Sequence, residues 1–250
     1  MVFRQLQFRD EGAIRVVTLE RPDVHNAMSE RLMRELRRAL ADAEDSGCRV
    51  FIVTGAGEKS FCSGGDLKEF DALRTQEATV AMSLRMQKLA RAMRRSPLIT
   101  IAALNGDAYG GGLEFALAFD YRIAAGHARF GFLQVTLGVT PAWRGISRLR
   151  ELVGRSTAMR LLLTGERIDA QRAKDYGIVD EIAAGPALEA ALELAKKIAA
   201  HPPVAVRTIK AMVDAPLDDD DDTLELEAER FSTAWLSDAH WTALARARGQ

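Results

Sequence analysis

The chain has 250 residues, 48% hydrophobic and 28% charged, with a net charge of −1. It is long enough to bury the core of one large domain, and its charge balance gives no electrostatic footing for nucleic acid or an anionic membrane. Two cysteines, Cys48 and Cys62, rule against a disulfide scaffold, no run is apolar enough to span a bilayer, and the early charges of the first segment do not suit a secretory signal, so a cytoplasmic location is expected.

Residues 13–19, AIRVVTL, predict a strand. RPDVHNAM is a turn, after which Ser29 can cap a helix with Leu32, Leu36 and Leu40 at helical spacing, ended by Gly47. Residues 49–55, RVFIVTG, form a continuous apolar run, as in a buried strand. The loop AGEKSFCSGGDLKEF leads to a helix over 75–95 with Met82, Met86, Leu89 and Met93 on one face, and Pro97 stops it. Residues 98–106 are a further buried strand; a glycine triplet then opens a helix over LEFALAF, and DYRIAA returns to strand. Alternation of strand and helix to about residue 140 argues for an α/β fold with parallel pairing. From Arg144 onward the segments are helical and broken by Gly and Pro, with one short strand at IVDEI.

Two stretches share one design: an apolar strand, a glycine-rich loop, then helical sequence. They are FIVTGAGEKSFCSGGDLKEF and ITIAALNGDAYGGGLEFAL. The first N–H groups of a helix have no intrahelical partner and sit at its positive end. Glycine lets a ligand oxygen approach them. Two such N–H groups aimed at one point would stabilise an oxyanion, and losing one donor from such a site costs roughly 3–4 kcal/mol in the transition state.

FCSGGDLKEF together with ALNGDAYGGGLEFALAFDYRIAA resembles the enoyl-CoA hydratase/isomerase, or crotonase, family. RPDVHNAM and GRSTAMRLLLTGERIDAQRAKDYGIVDEI resemble further segments of that family, so the likeness covers roughly residues 5–215. The resemblance implies an α/β spiral of ββα units over 1–190, a C-terminal helical region over 191–250, and a homotrimer or dimer of trimers. It implies an acyl-CoA substrate, with coenzyme A entering as part of the substrate and no separate cofactor or metal. Its thioester oxygen would be held by the N–H groups of Gly65 and Gly111, with Glu114 working on water or an α-proton. By the same resemblance His25, Ala27, Ser63 and Asp66 line the acyl-CoA path, with Asp66 expected to brace its loop. Leu67, Tyr109, Pro141 and Trp143 complete it.

The sequence departs from the family where hydratases carry a second glutamate: FGFLQVTLG has Gln134 there. An amide can hold a water but exchanges no proton usefully near neutrality. LGVTPAWRGISRL carries a tryptophan where hydratases usually have small residues. This pattern, and the closing ERFSTAWLSDAHWTALARARGQ, are similar to family members that decarboxylate malonyl-type thioesters. Three readings follow: hydration or isomerisation of an enoyl-CoA, with Glu114 activating water that Gln134 positions; decarboxylation, with Glu114 supplying or relaying the proton and Trp143 and Arg144 shaping a carboxylate pocket; or a non-catalytic acyl-CoA scaffold.

Plainer roles suit the rest. GAGEKS lacks the last glycine of a dinucleotide fingerprint. Cys62 is expected to be a packing residue. His25, His127, His201 and His240 show no metal spacing. The run Asp218–Asp222 is a solvated loop and helix-start charge.

Overall fold

A computed structural model describes residues 3–215 and 221–247. Strand β1 (Leu6–Glu11) turns at Gly12, whose φ of +62° favours glycine, into the antiparallel β2 (Ile14–Leu19). Helix α1 (Glu30–Asp45) starts where Ser29 accepts from the Leu32 N–H at 3.0 Å, and it buries Leu32, Leu36, Ala39, Leu40 and Ala43. Next come β3 (Val50–Gly55), β4 (Ser60–Cys62), α2 (Leu67–Phe70) and α3 (Gln76–Arg95). They are followed by β5 (Ile99–Leu104), β6 (Asp107–Tyr109) and α4 (Gly111–Ala116). After β7 (Tyr121–Ala125) and β8 (Arg129–Gly131) a 3-10 turn, Leu133–Leu137, leads to α5 (Gly145–Thr164), broken at Gly154. The chain continues through β9 (Ile168–Asp169), α6 (Ala170–Asp175), β10 (Glu181–Ala183), α7 (Ala187–Ala199), α8 (Pro203–Val213), α9 (Asp221–Trp235) and α10 (Asp238–Ala247).

The strands form two sheets. The main sheet runs β1-β2-β3-β5-β7-β10, parallel except at β1–β2, and the second runs β4-β6-β8-β9. Each long strand β3, β5 and β7 lies in the first sheet, and the short strand after it lies in the second. That is the expected spiral of ββα units. The strands β3 and β5 are buried at every position, which is why their sequences read as unbroken apolar runs. Parallel pairing of β4 with β6, with Cys62 opposite Ala108, brings the two glycine loops that follow these strands to one place.

Helix α7 lies against the main sheet through Ala187, Ala191 and Ala195, and it runs across the boundary expected at residue 190 without a break. Helix α8 is tied to the core by Lys210, which donates to the Leu98 carbonyl at 2.7 Å and to Asp120 at 2.6 Å. Asp218–Asp220 of the acidic run lie outside the described residues, and Asp221 opens α9. Among the described residues no helix is long and apolar enough to cross a membrane.

Candidate active site

The first glycine loop is stitched to the segment that precedes α1. The Met28 N–H donates to the Gly64 carbonyl at 2.7 Å, Asp66 N–H to the Met28 carbonyl at 2.9 Å, and Ser63 N–H to the His25 carbonyl at 3.0 Å. Asn26 fixes that segment from a left-handed backbone, φ 55°, by donating to the carbonyls of Ala56 at 3.1 Å and Ser60 at 2.8 Å. Asp66 caps α2 and pairs with the Arg21 guanidinium at 2.6 Å. Burial alone would raise the Asp66 pKa, but the Arg21 hydrogen bond, the Glu69 and Lys68 N–H groups and the Arg21 charge hold it below its ordinary value. The Gly65 N–H finds no acceptor among the described residues.

The second loop is shaped by close approach. Gly110 sits at φ 51°, ψ −122°, a backbone that glycine adopts freely. A β-carbon on Gly111 would fall inside the Trp143 ring, and one on Gly112 would fall on the Cys62 carbonyl of β4. One on Gly64 would stand 3.2 Å from the Gly111 nitrogen, so the two loops touch. Gly111 is the first residue of α4, so its N–H has no helical acceptor. Cys62 is fully buried, which pushes its thiol pKa up to about 12 and makes it a packing group.

The loops open on a cavity of ≈ 440 Å³. Ten of the expected site residues line it: Ala27, Ser63, Gly65, Asp66, Leu67, Tyr109, Gly111, Glu114, Gln134 and Trp143. His25 and Pro141 do not. The His25 ring lies outside, its Nδ1 3.2 Å from the Ser60 hydroxyl, because the left-handed turn at His25 and Asn26 directs the chain inward only at Ala27. Arg144 also departs from expectation. It faces a separate cavity with Arg91, Arg94 and Arg95, since its own left-handed backbone, φ 69°, turns it away from its neighbour Trp143.

Glu114 is 1% exposed, and its carboxylate is surrounded by donors. Oε1 accepts from the Gln134 side-chain amide at 2.8 Å and the Ala142 N–H at 3.3 Å, and Oε2 from the Trp143 and Gly145 N–H groups, each at 2.8 Å. Gly145 is required there, because a β-carbon would strike the Glu114 side chain. Burial outweighs the hydrogen bonds from Gly145, Trp143, Ala142 and Gln134, and it raises the Glu114 pKa. The carboxylate therefore clamps the turn 142–145, which in turn sets the Trp143 ring against Gly111. Gln134 donates the hydrogen bond that a protonated carboxyl would donate, while its own Oε1 is buried without a partner among the described residues. Sequence reading missed this clamp and the Asn26 and Arg21 braces; their only local signals are single residues in loops.

The family model for enoyl-CoA hydratase/isomerase matches residues 9–240. The chain belongs to this family. It is 40% identical over 207 residues to the putative enoyl-CoA hydratase/isomerase YngF of Bacillus subtilis, covering 82% of this chain and 79% of that one. It is 32% identical over 244 residues to the mouse ethylmalonyl-CoA decarboxylase, covering 95% and 76%. Among solved structures, an enoyl-CoA hydratase from Bacillus anthracis superposes with a TM-score of 0.93 at 33% identity, covering 99% of this chain and 97% of that one. As a member of the enoyl-CoA hydratase/isomerase family, the protein is read as an enzyme, and the cavity between its glycine loops is the candidate for its chemistry.

Proposed function

We propose that the protein processes an acyl-CoA by holding the thioester oxygen between the N–H groups of Gly65 and Gly111, and that its reaction is decarboxylation of a malonyl-type acyl-CoA. The observation that carries this is the state of Glu114. A carboxylate has about four lone-pair sites, and those of Glu114 receive four donors. Each of those sites faces a protein donor, so Glu114 is poorly placed to draw a proton from a water in the cavity, and Gln134 has no proton to give to carbon. Hydration needs both acts. Decarboxylation needs neither, because the electrons come from the substrate. The bond between Cα and the carboxylate breaks, CO2 leaves, its electron pair forms the enolate, and the two N–H groups take up the charge on the thioester oxygen. Cα then takes a proton from water, and the hydroxide left behind combines with CO2 as bicarbonate. Trp143, Leu133, Leu137 and Val139 supply apolar walls, which disfavour the carboxylate charge relative to neutral CO2. The reaction draws on the coenzyme A thioester and water.

Hydration or isomerisation of an enoyl-CoA is the second reading, favoured by the names of the Bacillus subtilis relative and the Bacillus anthracis structure. Two assays on the wild-type protein separate the readings: CO2 release from ethylmalonyl-CoA, and loss of the enoyl-thioester absorbance of crotonyl-CoA. CO2 release with an unchanged enoyl band is expected; the converse replaces decarboxylation by hydration, and tight binding with neither leaves a scaffold. Assembly as a homotrimer or dimer of trimers belongs to the same reading. Exposed Phe231 and Trp235 on α9, Leu236 just after it and Trp241 on α10 offer apolar area for it, and light scattering of the purified protein tests it.

A further inference from the structure

Away from the glycine loops, an apolar chamber of ≈ 440 Å³ lies between the main sheet and helices α5 and α8. Ile99, Leu117, Phe119, Leu152, Val206 and Ile209 line it. It adjoins a second cavity of ≈ 340 Å³ walled by arginines of α3 and by Arg144 and Arg148 at the start of α5. Arg94, Arg148, Glu151 and Asp214 border both, so the two share a wall.

Arg148 is the unusual member. Four cations are buried among the described residues: Arg15, Arg122, Arg148 and Lys210. Three have carboxylate partners, Arg15 with Asp10 at 2.7 Å, Arg122 with Asp180 at 2.8 Å and Lys210 with Asp120 at 2.6 Å. Arg148, 8% exposed, makes one hydrogen bond among the described residues, to the Trp143 carbonyl at 3.4 Å, and no ion pair. A guanidinium carries five N–H donors in a fork that fits a carboxylate. A buried charge without a partner is costly. Burial and the nearby charges of Arg144 and Arg94 push the Arg148 pKa down to about 10, against the weaker opposing charges of Glu114 and Glu151.

We propose that the two cavities form a second ligand site, which takes an amphiphilic carboxylate with its alkyl chain in the apolar chamber and its head group on Arg148 and Arg94. The chamber volume is in the range of small-molecule sites, and the apolar walls with a few placed polar groups fit that class. Arg94 is half-exposed and shared with Asp214 at 3.4 Å, so Arg148 supplies most of the recognition. The ligand head sits one hydrogen bond from Trp143, and so beside the turn that holds Glu114. The inference is independent of the reaction assigned to the first cavity.

Calorimetric titration of the full chain with decanoate, below its micelle concentration, tests the site. Saturable binding is expected, with decan-1-ol weaker by about tenfold or more for want of the charge. Arg148→Met and the chamber-filling Val206→Trp should each weaken decanoate by about tenfold or more. If Arg148→Met does not fold, Arg94→Gln at its half-exposed position should still weaken decanoate by about threefold while leaving decan-1-ol unchanged. Equal affinity for acid and alcohol overturns the proposal, as does decanoate binding that ignores Val206→Trp and Arg94→Gln or that butyryl-CoA displaces. Absence of decanoate binding, with the chamber closed by a second copy of the chain, overturns it too.

Discussion

The two glycine loops share one sequence design and are held by different forces. The loop after β4 is braced by polar side chains: Arg21 on Asp66, and Asn26 on the carbonyls of Ala56 and Ser60. The loop after β6 is braced by contact: Gly111 against the Trp143 ring, Gly112 against the Cys62 carbonyl, and Glu114 sealed under the turn 142–145. The difference teaches that glycine in these motifs answers two demands. Each loop meets both: Gly64, at φ +111°, and Gly110, at φ +51°, supply backbone angles, while Gly65 against Phe70 and Gly111 and Gly112 in the second loop supply room.

The sharpest way to separate these demands is to add a methyl group. Gly112→Ala sets a β-carbon on backbone that cannot yield, and it should cost about 3 kcal/mol or more in a denaturant titration. Gly111→Ala meets the Trp143 side chain first, so its loss of stability should be largely rescued by adding Trp143→Leu. Rescue of Gly112→Ala by the same change would show that the second loop is not packed as described. Glu114→Gln turns part of the carboxylate's acceptor surface into donors facing the N–H groups of 142–145 and should cost about 2–3 kcal/mol. Turnover should fall by about tenfold or more as Trp143 loses its seat. Unchanged thermal stability would remove the clamp from the account.

Asp66→Asn breaks one mostly buried ion pair and should cost less, about 1–2 kcal/mol, read from the same titration. The smallest effect is a difference of sign with pH. The Asp66 pKa is lowered on folding, so its contribution is present above the ordinary aspartate value of 3.8 and lost as pH falls through the depressed value. The Glu114 pKa is raised, so its contribution is fully present below the ordinary glutamate value of 4.5 and lost as pH rises through the raised one. The stability gap between wild type and Asp66→Asn should therefore shrink on acidification, while the gap to Glu114→Gln should widen. Parallel gaps would mean that the two loops do not differ electrostatically.

Much of this was legible in sequence wherever an element is long and one-sided. The α1 stripe Leu32, Leu36 and Leu40 and the apolar runs of β3 and β5 carry periodicity or continuity that burial explains. Strands β4, β6 and β8 have three residues each, too few to show a period in sequence. Strand β1 buries only Leu6 fully, so its pattern is faint. At the site, motif likeness pointed to Gly65, Gly111, Glu114 and Gln134, which do meet in one cavity. The saturation of Glu114 was not legible, because three of its donors are backbone groups about 30 positions away. Arg144 was misjudged because a left-handed backbone at a non-glycine residue leaves no trace in composition.

The proposed convergence of the Gly65 and Gly111 amides on one oxygen is most directly tested by isotope-edited infrared difference spectroscopy of butyryl-CoA carrying 13C at the thioester carbonyl. Binding to the wild-type protein should move the carbonyl stretch to lower frequency, as two N–H donors polarise the bond. A bound ligand whose carbonyl band stays at its free-solution position would contradict the account.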